Sequence, residues 1–410
     1  MSALEAPAGE RWRTRAMVAL CASVFLLVLG TGMVAPMVSL YGKSIGASNV
    51  MIGLLFTGFY AVRLAFGLPA GRVSDRYGPA RALRVGLFLY LPTSAAYLLS
   101  GSAVALLGAR MLHGVASAFM LPVAMAYAGT LSPVGQEGRQ MGIYNAVVSL
   151  ANSGGPVLGG LVAAAYGMHW VFLSLLGLDV AALAVVLIWL PDTSRRVAAK
   201  PATAAVSTAP PAYGRLVFWA MMLAYGASGL LTILVVSFFP IFGSDQGMSL
   251  QLVGIIVGGQ NLIATLLQVP FGRLSDRLDP RLLVPVALLF SMLALFVLPL
   301  FSGRTAAVAC VIGLVATGAA LLTAASSAIA VRYAREKGMG RTMSLLGIAS
   351  SAGMMAGPLV MGVVADRYGT AAPFTFCAAV ILVVAVSWTL LSVFDARRAG
   401  VAEQAVHGGF

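Results

Sequence analysis

Runs of about twenty apolar residues recur along the whole chain and constrain its fold more than any other feature. A helix of about that length is needed to cross the hydrocarbon core of a membrane, and the runs lack the alternation of an outer-membrane barrel strand. Only 10% of the residues are charged, against about 25% in a typical soluble domain. We therefore predict an all-α polytopic membrane protein with twelve spans, at roughly 16–41, 48–70, 82–100, 102–129, 141–165, 168–190, 215–242, 248–271, 282–301, 305–331, 342–364 and 372–394.

The basic residues are distributed unevenly about these spans. The net charge is +13, but twenty-one of the lysines and arginines fall in the two terminal segments and the even-numbered loops. Only Lys43, Arg304 and Arg367 fall in the odd-numbered loops. Because cytoplasmic loops carry such an excess, we expect both termini to be cytoplasmic. The charge orients the chain, and we expect no nucleic-acid partner.

The chain contains an internal repeat. The stretch LPAGRVSDRYGP at residues 68–79 returns as VPFGRLSDRLDP at residues 269–280, 201 positions later. A second pair of similar stretches lies 202 positions apart, in spans five and eleven, where Gly155-Pro156 corresponds to Gly357-Pro358. Two pairs of similar stretches at nearly the same separation indicate that the chain consists of two six-helix halves. We predict a cytoplasmic N-terminal tail, a bundle, a cytoplasmic linker rich in Ala and Pro, a second bundle and a cytoplasmic C-terminal tail, at 1–15, 16–191, 192–214, 215–394 and 395–410.

Three motifs in the first half resemble those of the Major Facilitator Superfamily, whose parallel halves also match the repeat. GRVSDRYGPAR at 71–81 is similar to its motif between helices two and three, RMLHG at 110–114 to the helix-four motif of its proton-coupled members, and GPVLGG at 155–160 to the helix-five motif of its antiporters. His113 and Ala151 replace an expected Gln and Gly, and Pro79 and Ala80 interrupt the basic end of the first motif. The resemblance implies the fold of the drug:proton antiporter branch, with two pseudosymmetric bundles and alternating access.

The repeated loop motif contains residues suited to a hinge and to a conformational gate. We expect Gly71 to permit close approach of backbones and Gly78 to permit a turn with positive φ. A carboxylate at Asp75 can bind a helix N-terminus of the opposite half when the cytoplasmic side is closed. The basic residues can pair with carboxylates or lipid phosphates, or be solvated loop charges. The predicted gate comprises Gly71, Asp75, Arg76, Gly78 and Arg81, with a weaker copy at Asp276 and Arg277, where Asp279 replaces the second glycine.

The glycine- and proline-rich runs are predicted to pack helices closely. Proline can kink a helix, and small residues let a neighbouring helix approach. We expect these runs to form a packed seam between the two halves, and lipid-facing flexibility is the alternative. The residues concerned are Gly142, Gly155, Pro156, Gly159 and Gly160, with Gly357 and Pro358 as their pseudosymmetric partners.

Four ionisable residues lie inside predicted spans, where they are costly and mark a functional site: Arg63, Arg110, His113 and Asp179. The repeat-related positions are all apolar, which places coupling in the N-terminal half: Ala264, Ile312, Val315 and Ile381. Arg110 and His113 share one helical face, and the histidine is either a titrating group or a packing residue. Asp179 is either a proton carrier or half of a structural ion pair. Arg63 either joins the cavity or extends to the membrane interface.

The second half contributes uncharged polar residues. Asn261 and Gln268 lie on one face of span eight with Gln260 beside them, and Tyr225 lies in span seven. These side chains either contact a substrate or hold helices together.

The residues together predict a secondary active transporter that exports an amphipathic small molecule or drug in exchange for protons. The sequence has no nucleotide-binding loop, which favours a proton gradient over ATP as the driving force. Its three cysteines lack metal-ligand spacing, and its His, Asp and Glu residues do not cluster as in a membrane enzyme, so we expect no cofactor, no metal site and no enzymatic activity. Family exporters of cationic drugs often hold an acidic residue in the first helix, which this chain lacks; a neutral or anionic cargo is favoured. The alternatives are a lipid or anionic-metabolite exporter or flippase, a proton symporter and, more remotely, a channel or membrane enzyme. We expect a monomer in a bacterial inner membrane.

Overall fold

The computed structural model describes residues 8–132, 136–190, 214–337 and 339–407, and in these it contains helices and no strand. The predicted linker lies outside the described residues except for Gly214. The helices are α1 Ala8–Ser44, α2 Asn49–Tyr77, α3 Pro79–Leu98, α4 Ala103–Ala118, α5 Leu121–Leu131, α6 Glu137–Tyr166, α7 Met168–Trp189, α8 Arg215–Ser237, α9 Phe239–Asp245, α10 Leu250–Arg277, α11 Pro280–Val297, α12 Thr305–Lys337, α13 Met339–Tyr368 and α14 Ala372–His407, with a 3₁₀ turn at Leu298–Phe301.

Within the described residues, eleven helical segments are long and apolar enough to cross a membrane. The segment missing from this set corresponds to the third predicted span. It is present as α3, a helix of 20 residues that carries Arg81 and Arg84 in its first two turns. The all-helical fold class is confirmed, and the count of twelve spans stays a prediction.

Two predicted spans are interrupted. The fourth, predicted as one helix, consists of α4 and α5, which are separated at Phe119 and Met120. The seventh consists of α8 and the short α9, separated at Phe238. In both cases a proline lies in the first two positions of the second helix. Proline lacks the N–H that would continue the ladder of the preceding helix, which explains why each break falls there.

A tyrosine followed by a glycine ends three helices. α2, α6 and α13 end at Tyr77, Tyr166 and Tyr368, and the glycines that follow have φ of +90°, +93° and +87°. Glycine adopts this conformation without steric cost, so the predicted turn at Gly78 is confirmed. At the repeat-related position, Asp279 instead accepts a hydrogen bond from the Arg281 N–H at 2.9 Å and caps α11. The second copy of the phrase is therefore a side-chain-capped helix start.

The chain divides into two compact units, each of which we describe separately. The first comprises the described residues up to 190 together with 248–258, and the second comprises 214–247 and 259 onward. In the first unit α1 packs mainly on α6 and α7, and α3 packs on α4 and α7. In the second, α8 packs mainly on α13 and α14, and α11 packs on α12 and α14. The same helix pairing is thus repeated inside both units.

The glycine-rich run of α6 packs mainly inside its own unit. A Cβ on Gly155 would lie 2.7 Å from the Leu29 carbonyl oxygen, and one on Gly159 would meet the Met33 backbone, both in α1. Gly160 instead meets the Leu250 carbonyl oxygen at 2.6 Å, in the part of α10 that belongs to the first unit. The expected seam between the halves is therefore wrong for Gly155 and Gly159, whose small size serves the α1–α6 contact.

The remaining positions of this predicted packing motif differ from one another. In the second unit, a Cβ on Gly357 would lie 2.5 Å from the Leu230 side chain of α8, and Pro358 is buried beside it. Pro156 is buried within α6. Gly142 is exposed, and a Cβ there would meet no described atom within 4 Å. Close packing therefore explains the glycines at 155, 159, 160 and 357, and it does not explain Gly142.

Candidate functional site

A group of polar and ionisable side chains is buried inside the first unit, where α3 packs on α4 and α7 and α4 packs on α2. It contains three residues predicted from the sequence, Arg110, His113 and Asp179, which are 3%, 3% and 0% exposed. It also contains side chains of α3 and α4 that the sequence did not single out: Tyr90, Ser94, Tyr97 and Ser117. We call this set the buried polar cluster.

Close packing of α2 on α4 shapes one side of the cluster. A Cβ on Gly114 would lie 2.5 Å from the Phe59 carbonyl oxygen and 3.3 Å from the Arg63 backbone nitrogen. Only a residue without a side chain fits this contact. The glycine of the RMLHG motif therefore lets α2 approach the helical face that carries Arg110 and His113.

Arg110 is buried among neutral groups. Its Nε donates to the Leu55 carbonyl oxygen at 3.2 Å, and a terminal nitrogen lies 3.5 Å from the Tyr97 hydroxyl oxygen. Its guanidinium carbon lies 4.7 Å and 4.5 Å from the ring centroids of Phe56 and Phe59. Aromatic faces and carbonyl dipoles stabilise a cation in a site of low polarity. The charge of Arg110 is therefore held without a carboxylate in contact.

His113 is joined to Arg110 through Tyr97. The histidine Nδ1 lies 3.0 Å from the Tyr97 hydroxyl oxygen. Because the arginine donates to this oxygen, the hydroxyl proton is available for Nδ1. The rings of Phe59, Tyr90 and Tyr97 surround the imidazole edge-to-face, with centroids 5.1, 5.3 and 5.8 Å away. His113 is thus both hydrogen-bonded and closely packed.

Asp179 of α7 has a single polar contact. The Ser94 hydroxyl donates to its Oδ2 and also lies 3.0 Å from the Tyr90 carbonyl oxygen. The other carboxyl oxygen, Oδ1, has no hydrogen-bond partner, and Asp179 forms no ion pair within the described part of the chain. Of the two roles left open by the sequence, the structural ion pair is therefore not formed.

Tyr90 lies between the two ends of the cluster. Its ring packs edge-to-face on the His113 ring, and its carbonyl oxygen lies 3.0 Å from the Ser94 hydroxyl oxygen. Arg63 is half-buried on α2, the helix that packs on α4. Three of the four ionisable residues predicted from the sequence therefore belong to the cluster, and Arg63 lies on a helix beside it.

The missed side chains follow a simple pattern on α3. Tyr90, Ser94 and Tyr97 are spaced i, i+4 and i+7 and occupy one helical face, and each is at most 2% exposed. Tyrosine and serine are common in the packed interior of helical membrane proteins, so the pattern is weak alone. Combined with the three ionisable residues predicted inside spans of the same half, however, this polar face of α3 would have been a stronger indication that these side chains belong to the site.

The polar residues predicted in the second unit occupy unlike environments. Gln260 is buried and its Oε1 has no partner among the described residues. Asn261 and Tyr225 are half-buried. Gln268 is exposed and lines a separate cavity of about 550 Å³ with Asp276 and others. The structure does not gather these four side chains into one compact group, and their contact with a substrate stays a prediction.

The predicted gate lies at the junction of α2 and α3. Asp75, Arg76 and Arg81 are exposed there, and the Arg76 guanidinium carbon lies 5.3 Å from the ring centroid of Tyr77. A Cβ on Gly71 would meet no described atom within 4 Å, so the close backbone approach expected at Gly71 is wrong for this structure. In the second copy Asp276 and Arg277 are also exposed, and their gate role stays a prediction.

Comparisons with known proteins agree on a single family. The model of the Major Facilitator Superfamily matches residues 20–258 and 217–407. An uncharacterized MFS-type transporter of Methanocaldococcus jannaschii is 25% identical over 369 residues, which are 89% of this chain and 95% of that protein. Multidrug resistance protein 2 of Bacillus subtilis is 23% identical over 70% of this chain and 73% of its own. Among solved structures, a bacterial homolog of the human lysosomal transporter Spinster, inward-facing and occupied, has a TM-score of 0.77 at 17% identity and covers 93% of this chain and 97% of its own.

Proposed function

The chain belongs to the Major Facilitator Superfamily, and from this premise we propose that it is a secondary active transporter that exports an amphipathic small molecule in exchange for protons. Relatives of similar sequence include a multidrug resistance protein, which supports efflux. The proposal includes alternating access, twelve spans with both termini cytoplasmic, and a place in a bacterial inner membrane. The distribution of basic residues described above supports this orientation.

The observation that carries the proton-coupling proposal is the environment of Asp179. Its carboxyl is wholly buried, its Oδ1 has no partner, and no described cation neutralises it. A carboxyl sealed from water in one conformation can exchange its proton only in another conformation that exposes it. Proton exchange at this carboxyl would therefore be tied to alternation, which is what coupling requires.

The other side chains of the buried polar cluster connect the Asp179 carboxyl to Arg110 and His113 on α4. The Ser94 hydroxyl donates to Asp179 and lies 3.0 Å from the backbone carbonyl oxygen of Tyr90 on the same helix, and the ring of Tyr90 packs on His113. Tyr97 then connects His113 with Arg110. A change of charge at Asp179 would alter the hydrogen bonding and orientation of these groups. In this proposal Arg110 and His113 respond to the proton.

An exporter or flippase of a lipid or anionic metabolite is the second candidate. The cluster contains Arg110 and one aspartate, Asp179, and a second arginine, Arg63, is half-buried on the adjacent α2. An excess of cations in a membrane-embedded site favours an anionic or neutral cargo over a cationic one. This candidate shares the transport mechanism and differs in cargo and in the need for protons.

Transport by the reconstituted protein tests the proposal. The protein would be placed in liposomes with a trapped pH dye and a proton gradient, and cationic, neutral and anionic amphiphiles would be added in turn. We expect a substrate-triggered proton signal that Asp179→Asn and Arg110→Ala abolish. Asp245→Asn is the matched control because Asp245 is exposed in the second unit, where it accepts a hydrogen bond from Thr370 at 2.6 Å. Substrate movement without a proton signal would contradict coupling and favour the flippase or a facilitator.

A further inference from the structure

A cavity of about 760 Å³ lies at the end of the first unit where α1 and α6 begin. Its walls are α1, α6 and the last residue of α5, Leu131, and it shares no residue with the buried polar cluster. Its volume lies within the roughly 300–1,000 Å³ of pockets that bind drug-sized ligands. We call it the α1–α6 cavity, and the proposed coupling mechanism does not account for it.

The walls of this cavity change from polar to apolar along its length. Arg13, Gln136 and Arg139 line it near the starts of α1 and α6. Phe25 and Val147 line it farther along the same two helices. Arg13 and Phe25 are twelve positions apart, a distance of about 18 Å along the helix axis at the helical rise per residue. A ligand that fills the cavity must therefore present a polar end and an extended apolar end.

The described side chains that line the polar end of the cavity carry a net positive charge. Arg13 and Arg139 are both exposed, and neither forms an ion pair within the described part of the chain. The Arg13 guanidinium carbon lies 5.7 Å from the ring centroid of its neighbour Trp12. No aspartate or glutamate is among the described residues that line the cavity. Guanidinium groups bind carboxylate, phosphate and sulfonate oxygens through paired hydrogen bonds, so this end suits an anion.

We propose that the α1–α6 cavity binds a single-chain amphiphile with an anionic headgroup. Arg13 and Arg139 hold the headgroup, and the chain lies along Phe25 and Val147. A cationic amphiphile of the same length would place its charge beside two arginines, and a small inorganic anion would leave the apolar wall uncovered. The cavity therefore distinguishes its ligand by charge and by chain together.

This inference deepens the proposed function by naming the class of cargo, and its use in transport rests on that function. On the predicted topology, the starts of α1 and α6 lie at the cytoplasmic side, where an exporter must capture its cargo. Binding itself requires neither a gradient nor transport. It can therefore be measured separately from the proposed function.

Equilibrium binding of radiolabelled dodecanoate to the full-length protein in nanodiscs of zwitterionic lipid tests the proposal. We expect saturable binding that unlabelled dodecanoate displaces and that dodecyltrimethylammonium, dodecyl maltoside and inorganic phosphate do not. The double variant Arg13→Gln/Arg139→Gln should bind about tenfold or more weakly, because it loses two charge-assisted contacts. Arg215→Gln/Arg273→Gln is the matched control, since both arginines are exposed in the second unit and lie outside this cavity. Equal weakening in both double variants, or equal displacement by the cation, would overturn the proposal.

Cys21 reports whether the ligand lies in this cavity, because it is a free cysteine that lines it. In a Cys310→Ser/Cys377→Ala background, bound dodecanoate should slow alkylation of Cys21 by a maleimide several-fold. Saturable binding without protection of Cys21 would place the ligand elsewhere and contradict the assignment. If dodecanoate binds as expected while no proton signal accompanies transport, only the proposed function fails.

Discussion

Replacing Asp179 with asparagine tests whether this carboxyl stabilises the fold or serves transport. Breaking a buried ion pair costs about 3–5 kcal/mol, because the partner is left as an uncompensated charge. Asp179 has no such partner among the described residues, and its one hydrogen bond comes from Ser94. The asparagine oxygen can still accept that bond, and its NH₂ group replaces an oxygen without a partner. We therefore expect the free energy of unfolding to change by about 1 kcal/mol or less.

Thermal unfolding in a single detergent can distinguish these magnitudes. For a unit of about 150–250 residues, 1 kcal/mol shifts the unfolding midpoint by roughly 2–4 °C. A broken ion pair would thus lower the Tm by at least about 6 °C, whereas we expect Asp179→Asn to stay within about 4 °C of the parent protein. Asp245→Asn controls for the loss of a carboxylate as such. If Asp179→Asn alone lowers the Tm by more than about 6 °C, Asp179 has a stabilising partner and the reasoning is refuted.

Three further predictions, one of them with a control substitution, follow from the packing and hydrogen bonds. Tyr97→Phe removes the hydroxyl between the α4 arginine and histidine, and should cost about 1–3 kcal/mol in thermal unfolding and slow transport in liposomes. Gly159→Ala places a Cβ against the α1 backbone and should cost about 1–3 kcal/mol; Gly142→Ala, which meets no described atom within 4 Å, should not lower the Tm. Gly78→Ala, at φ +90°, should lower stability by about 1–2 kcal/mol, and an unchanged Tm would show that the turn adopts another conformation.

The fold class could be predicted because it depends on local features of the sequence. Apolar runs long enough to cross a membrane give the helices, and the glycine after Tyr77 gives the turn with positive φ. The interruptions of spans four and seven were missed because the runs stay apolar through them. Pro122 and Pro240 are the local signals, but proline also occurs inside continuous helices such as α6. Tertiary packing decides between a kink and a break.

The candidate site could be predicted only in part. Its ionisable members were identified because charge inside a membrane span is costly wherever it packs. The partner of Asp179 could not be inferred, since Ser94 is 85 residues away in sequence. The helix against which Gly155 and Gly159 pack could not be inferred for a similar reason. A small residue indicates that another backbone comes close, and only the three-dimensional structure shows that this backbone belongs to α1 for Gly155 and Gly159 and to α10 for Gly160.

The internal repeat supplies a comparison that bears on the purpose of the buried polar cluster. Both units build the same helix pairs, α3 on α4 and α7 in one, and α11 on α12 and α14 in the other. At the repeat-related positions the second unit buries one serine, Ser291, whose hydroxyl donates to the Ala287 carbonyl oxygen of its own helix. The other buried counterparts are apolar: Leu295, Leu298, Ile312, Val315 and Ile381. This packing can therefore be achieved without any ionisable group. Packing therefore does not require the buried polar groups of the first unit, and such groups cost free energy when a partner is missing. We infer that they serve a function that the first unit performs and the second does not.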